Sequence, residues 1–303
     1  MKNMLRLIAI YMGSIIALTS CEKYEDPTTD YDYSAVYFGT QKPLRTIVAK
    51  EEMKFKFGAV LGGKRENSGE WVKFSVDPSL LKKIDGADQF TMLPKSFYSM
   101  DLKSEGDSTL YIQAGTFLGD MTITLNKEAF LNDPLAVSKK YAIPLRLYET
   151  SADSILYGNA YTPSKAYTII AVKYILPEHC AYYGTGVEKN SVTEKETSYE
   201  ITKGVPRWMK TLSATELQID ALGNATTGAA NKLKVILSED RSSVYVGQVD
   251  GGAAVTDLGS TYNKETMTFN LKYSFERSGE SIIVNETLTP RQEAEKELRF
   301  EEW

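Results

Sequence analysis

His179 is the chain's only histidine, and its neighbour Cys180 is one of two cysteines. A cysteine nucleophile needs a base within hydrogen-bond reach, and histidine is the usual one. In an extended segment adjacent side chains point to opposite faces, so these two do not form a catalytic pair, and the segment reads as a loop between domains. One histidine and one free cysteine are also too few for a tetrahedral zinc site built from those ligand types. Asp85-Gly86-Ala87-Asp88 offers carboxylates for calcium but lacks the recurrent Asp spacing and closing Glu of an EF-hand loop, so it reads as a solvated turn. Hydrolysis of a glycosidic bond needs two opposed carboxylates about 5–10 Å apart, and no motif among the 40 acidic residues marks such a pair. The expectation is a protein that is not an enzyme, with no catalytic residue, metal or cofactor.

Binding chemistry is better represented. A β-protein that recognises carbohydrate presents an aromatic face to the apolar side of a sugar ring and places amide or charged groups for its hydroxyls. The chain has 19 tyrosines and three tryptophans. Trp208 is the first candidate, because Gly204-Val205-Pro206-Arg207-Trp208 is turn-rich and basic, a setting that leaves a large aromatic partly exposed. Tyr245 and Tyr262 follow it. Trp71 lies in an alternating segment and is expected in a core, whereas Trp303 ends an acidic tail, either capping a barrel or hanging free.

These side chains need a scaffold, and from Ser34 onward its signature is period two. Met53-Lys54-Phe55-Lys56-Phe57, Trp71 to Val76 (WVKFSV) and Met121 to Leu125 (MTITL) suit strands with one face buried. Gly62-Gly63, Asn67-Ser68-Gly69, Asp85-Gly86 and Glu105-Gly106-Asp107 supply the turns. Asp77-Pro78 and Leu93-Pro94 also read as turn-setters. Helical stretches are short, at Ser79 to Ile84 and Lys127 to Leu131. Ala166 to Leu176 reads as a last core strand, and Pro177-Glu178 ends it. The pattern restarts at Tyr182-Tyr183-Gly184, with strands at Lys232 to Leu237, Ser243 to Val249, Thr266 to Glu276 and Ser281 to Thr289. The last two form a hairpin across Arg277-Ser278-Gly279-Glu280. The sequence therefore predicts an all-β protein: a β-sandwich over residues 34–176 and an up-and-down antiparallel barrel over residues 177–303.

At the other end, Lys2 and Arg6 precede an apolar run from Leu7 to Leu18 and the small residues Thr19 and Ser20, which is the order of a secretory signal over residues 1–20. The run is shorter than the roughly 20 residues that span a bilayer. Leu18-Thr19-Ser20-Cys21 resembles the lipobox of bacterial lipoproteins, which implies that Cys21 is the lipid attachment site. Glu22, Glu25 and Asp26 resemble the surface-export tag of Bacteroidota lipoproteins, and Pro27 to Tyr33 completes an anchor and linker over residues 21–33. Removing Lys2 and Arg6 with the signal leaves 33 basic and 40 acidic side chains, a net charge of −7. That balance excludes nucleic acid as a partner. With Cys21 acylated, Cys180 is left without a disulfide partner, and stability must come from buried core.

Val36-Tyr37-Phe38-Gly39, Asp77-Pro78-Ser79-Leu80-Leu81, Leu93-Pro94 with Phe97-Tyr98-Ser99, Asp133-Pro134-Leu135 and Tyr141-Ala142-Ile143-Pro144-Leu145 resemble the N-terminal immunoglobulin-like domain of a family of Bacteroidota surface lipoproteins. Tyr182-Tyr183-Gly184, Phe269-Asn270-Leu271-Lys272-Tyr273, Glu286-Thr287-Leu288 and Arg291 are similar to its usual C-terminal partner, a lipocalin-like β-barrel. The resemblance implies an immunoglobulin-like sandwich followed by a lipocalin-like barrel. It also implies a lipoprotein of the outer membrane, facing the exterior, that binds polysaccharide or oligosaccharide beside an outer-membrane importer. A structural or adhesive, fimbria-like surface lipoprotein is the alternative; a pilin subunit would shed its first strand for donor-strand exchange. Asp107-Ser108-Thr109 and Asp153-Ser154-Ile155 resemble the O-glycosylation acceptor of exported Bacteroidota proteins, making Ser108 and Ser154 candidate sites.

Overall fold

A computed structural model describes residues 31–64, 66–104 and 106–303. The signal segment, Cys21 and the acidic residues behind it lie outside the described residues.

Eleven strands build the first domain: β1 (Ser34–Phe38), β2 (Pro43–Val48), β3 (Lys54–Gly63), β4 (Glu70–Val76), β5 (Thr91–Met92), β6 (Tyr98–Met100), β7 (Thr109–Ile112), β8 (Leu118–Leu125), β9 (Tyr141–Thr150), β10 (Ser154–Ile155) and β11 (Tyr167–Ile175). One sheet has the order β10-β1-β3-β8-β6, and the facing sheet runs β2-β11-β9-β4-β7, with β5 beside β9. Alternation decides what faces inward. In β3, Phe55, Phe57, Ala59 and Leu61 are buried while Lys54 and Lys56 face solvent; in β8, Met121, Ile123 and Leu125 are buried. The sheets meet through contacts such as Phe57 against Phe74, edge to face with ring centroids 5.2 Å apart.

Trp71 departs from the expectation. Val72 and Phe74 take the core face of β4, so period two places Trp71 and Lys73 on the opposite face. There the Lys73 ammonium lies 5.3 Å from the indole centroid, a cation–π contact at the surface.

The second domain follows with β12 (Ala181–Asn190), β13 (Glu196–Ile201), β14 (Arg207–Thr211), β15 (Glu216–Ile219), β16 (Leu233–Leu237), β17 (Val244–Gln248), β18 (Val255–Asp257), β19 (Thr261–Asn263), β20 (Thr268–Arg277) and β21 (Glu280–Pro290). Its order is β17-β16-β15-β14-β12-β21-β20-β18, with β13 on β12 and β19 on β20. Every one of these pairings is antiparallel. The sheet curls until β17 lies near β18, where the Val246 N–H donates to Asp257 Oδ1 at 3.3 Å, giving a nearly closed barrel. The β20–β21 hairpin turns through Ser278 and Gly279, both with positive φ, and Arg277 pairs with Glu280. Two left-handed residues match the twist of a tight hairpin.

The chain does not end in the barrel. A last strand, β22 (Glu301–Glu302), pairs with Pro43 and Leu44 of β2 on the sandwich. Trp303 then packs edge to face on Phe90 (4.8 Å) and donates its indole N–H to the Ile169 carbonyl at 2.6 Å. It neither caps the barrel nor hangs free: the acidic tail adds an edge to the sandwich, where an unpaired strand edge and the apolar cluster of Leu44, Leu80, Phe90 and Ile169 receive it. Ala294 and Leu298 on the way back pack on Val48 and Ile175. Trp303→Ala is expected to cost about 2 kcal/mol, from a partly buried ring and one hydrogen bond. Thermal denaturation checks this, and an unchanged melting temperature would show that the tail is not docked.

Candidate functional site

Trp208 lies on β14, where Arg207 and Met209 point into the barrel and Trp208 and Lys210 point out. The expected turn is thus a strand that begins directly after Pro206. The indole is 41% exposed and stands between two cavities. One, of about 500 Å³, is lined by Trp208 with Glu200, Thr202, Lys210, Asp220 and Asn224 among others; the second, of about 200 Å³, includes His179, Lys173 and Glu297. The Arg291 guanidinium lies 5.8 Å from the ring centroid, held by two bonds to the Glu297 carboxylate at 2.8 and 2.9 Å. Lys210 bonds to Asp220 at 2.5 Å, and Gln218 donates to the same carboxylate at 2.6 Å. The Lys210 bond, with the others, keeps the Asp220 carboxyl below its ordinary range. A flat aromatic surface with an ordered carboxylate, an ammonium, an amide and hydroxyls around it is suited to stack a sugar ring and bond its hydroxyls.

The three sequence candidates do not converge. Tyr245 is 54% exposed on the outer face of β17 and lines neither of the cavities beside Trp208. Tyr262 is half-buried and stacked on Phe269 with centroids 4.4 Å apart, and its hydroxyl donates to Glu178 Oε1 at 3.0 Å. It lines a third cavity, about 990 Å³, between the two domains. Lys210, Asp220 and Asn224 were not singled out by sequence. The signal for Lys210 is the outward alternation of RWMKT, which escapes notice when the segment is read as a turn; Asp220 and Asn224 follow β15 and carry no such signal.

The barrel interior carries a network of buried ion pairs, whose Tyr199 and Arg207 also line the cavity of about 500 Å³ beside Trp208. Glu286 is buried and accepts from the Tyr199 hydroxyl at 2.8 Å and from the Arg207 guanidinium, which also bonds to the Gly223 carbonyl. Beside them Arg277 grips Glu188 through two bonds of 2.8 Å, and the Asn224 N–H donates to Glu188 at 2.6 Å. Burial pushes the Glu286 carboxyl up even with Arg207 against it.

His179 and Cys180 lie in a turn rather than in extended chain, closed by the His179 N–H on the Leu176 carbonyl. The Thr211 N–H donates to His179 Nδ1 at 2.9 Å; an amide can only donate, so the neutral ring carries its proton on Nε2. Burial first, then Lys173 and Lys210, push the imidazole down to about 4. The Cys180 thiol is fully buried and pushed up to about 11 by that burial, so it is not a thiolate at neutral pH. Between pH 6.5 and 4 the unfolded chain takes a proton at His179 that the folded chain refuses. The stability that is complete above about pH 6.5 is therefore lost as pH falls through about 4, by about 3 kcal/mol. His179→Asn, which keeps an acceptor for Thr211, is expected to flatten the fall in melting temperature between pH 7 and 4.5; parallel slopes would contradict a buried neutral histidine.

Ser108 and Ser154 are both half-buried. Ser154 pairs with Ala35 in β10, and the neighbouring Asp153 accepts from the Ser34 N–H at 2.7 Å and from Lys64 at 3.0 Å. These bonds, led by the one from the Ser34 backbone, draw its carboxyl down to about 2. Asp85 and Asp88 are exposed, and no group of three metal-ligating side chains occurs among the described residues.

Comparison with known proteins places the fold in context. A family model described as "-like, N-terminal domain" matches residues 31–154, most of the sandwich. A crystal structure of a protein of unknown function from Bacteroides ovatus is similar over 86% of this chain and 95% of its own, with a TM-score of 0.69 and 20% identity. It shares the fold across both domains. A multidomain protein including DUF1735 from Bacteroides ovatus matches 85% of this chain and 94% of its own at a TM-score of 0.42 and 14% identity. An auxiliary nutrient binding protein from Bacteroides thetaiotaomicron matches 84% of this chain and 92% of its own at a TM-score of 0.42 and 13% identity. No curated protein matches the chain.

Proposed function

We propose that this chain is a non-catalytic surface lipoprotein that binds glycan on the outer face of its barrel. The observation that carries the reading is Trp208, half-exposed over a cavity whose walls supply carboxylate, ammonium, amide and hydroxyl groups. Cys21, through two or three acyl chains, anchors the chain in the outer membrane, and the acidic residues behind it direct the protein to the exterior. There it captures polysaccharide or oligosaccharide for a neighbouring outer-membrane importer.

Many copies held on one membrane engage one polymer, so each site can be weak, with a dissociation constant on the order of 1 µM to 1 mM. The full-length protein in detergent, applied to a broad glycan array, is expected to retain at least one neutral polysaccharide. Failure to bind any glycan would overturn this reading in favour of the adhesive one.

A further inference from the structure

The largest cavity described is the cleft between the domains. The loop after β2 and the short helix Lys127–Leu131 form its sandwich side, and Tyr262 of β19 with the loops that carry Ala214, Arg241 and Lys264 forms its barrel side. Glu178, from the junction, lines it while only 3% exposed. Its Oε1 accepts from Tyr262, but its Oε2 has no hydrogen-bond partner within the chain. Facing it at 3.9 Å is Arg241 Nη1, also buried and also without a hydrogen-bond partner.

That separation makes an ion pair but is too long for a hydrogen bond. It is compatible with one group that donates to the carboxylate and accepts from the guanidinium, and a hydroxyl does both. Arg241 is held in this place by a left-handed backbone (φ 61°) and by its Nη2, which donates to the Ala214 carbonyl at 2.9 Å. Tyr262 fixes the carboxylate from the other side.

We propose that the interdomain cleft is a second binding site, for a neutral polyhydroxylated ligand such as an oligosaccharide, read by Glu178 and Arg241 and independent of Trp208. The cleft is lined by four basic side chains and four carboxylates, a balance that favours a neutral ligand over a polyanion or polycation. Its volume of about 990 Å³ lies at the upper end of the range of about 300–1,000 Å³ common for ligand sites. Tyr262, its ring against Phe269 and its hydroxyl on Glu178, positions the carboxylate rather than stacking a sugar.

The test uses the full-length protein in detergent carrying Trp208→Ala, on an array of neutral and acidic oligosaccharides. It is expected to retain a neutral oligosaccharide, and adding either Glu178→Gln or Arg241→Lys is expected to weaken that binding roughly tenfold or more, the loss of a charge-assisted hydrogen bond. Arg241→Lys decides the matter if Glu178→Gln does not fold. Binding abolished by Trp208→Ala alone overturns the second site and leaves the barrel-face site standing. Binding that ignores Trp208 but falls with Glu178 or Arg241 does the reverse. Retention of acidic glycans only, of no glycan, or undiminished by both cleft substitutions overturns the proposal.

Discussion

Arg207→Ala is expected to lower stability by about 3–5 kcal/mol, because it strands the Glu286 carboxylate in the barrel core with only the Tyr199 hydroxyl against it. An uncompensated buried charge is costly, whereas the intact pair is not itself a large stabiliser. Arg207→Met with Glu286→Leu, which replaces both ions by apolar groups, is therefore expected to recover most of the loss, and the double-mutant cycle to show strong coupling. The single variant has a pH signature as well. Burial holds the Glu286 carboxyl above its ordinary value, and losing Arg207 removes a neighbour that lowers it. The deficit relative to the parent is thus smallest at acid pH, where Glu286 is protonated in both states, and grows as pH rises through its raised folded value. Chemical denaturation of the parent, Arg207→Ala and the cycle's Arg207→Met, Glu286→Leu and double variants at pH 5 and 8 checks this; additive single effects would contradict a buried network.

On the proposed lipid anchor, Cys21→Ala is expected to abolish outer-membrane attachment. Each buried CH₂ of an acyl chain contributes about 0.8 kcal/mol, so two or three chains hold a protein stably where one does not. Under the proposed anchor, loss of the thiol removes the site of lipid attachment and blocks removal of the signal. The variant is expected to leave the detergent-rich outer-membrane fraction and to migrate more slowly, as an unprocessed species. No helix among the described residues is long and apolar enough to cross a membrane. Outer-membrane recovery equal to the parent would contradict the anchor.

The strands were legible where one face meets water. Phe55 and Phe57 between lysines, the MTITL run of β8 and the hairpin across Arg277 to Glu280 lie as period two and turn chemistry require. Trp71 lies in an alternating segment, but alternation alone does not say which of its two faces is buried; Val72 and Phe74 take the core face and Trp71 the other. Gly204 to Trp208 has the composition of a turn, and Pro206 obscures the strand β14 that starts directly after it; β15 is four residues long and carries too short an alternation to stand out. The tail was harder still: Glu301 and Glu302 carry no strand signal, and only the open edge of β2 makes them one. Nothing local marks Glu286 or Arg207 as buried, since they lie 79 positions apart and meet only when the barrel closes. Glu178 and Arg241 are hidden in the same way, each an ordinary surface residue in sequence and joined only across the cleft.

Affinity electrophoresis of Trp208→Ala beside the parent, with a melting curve for each, tests glycan capture on the barrel face most directly. Stacking on an aromatic ring contributes about 1 kcal/mol or more to such contacts, enough to shift a weak site by severalfold. Retention by a polysaccharide that slows the parent is expected to fall, and the melting temperature to stay near that of the parent, because the indole is half-exposed. Full retention with an unchanged melt, or a loss of about 3–5 kcal/mol in stability as for a core tryptophan, would contradict it.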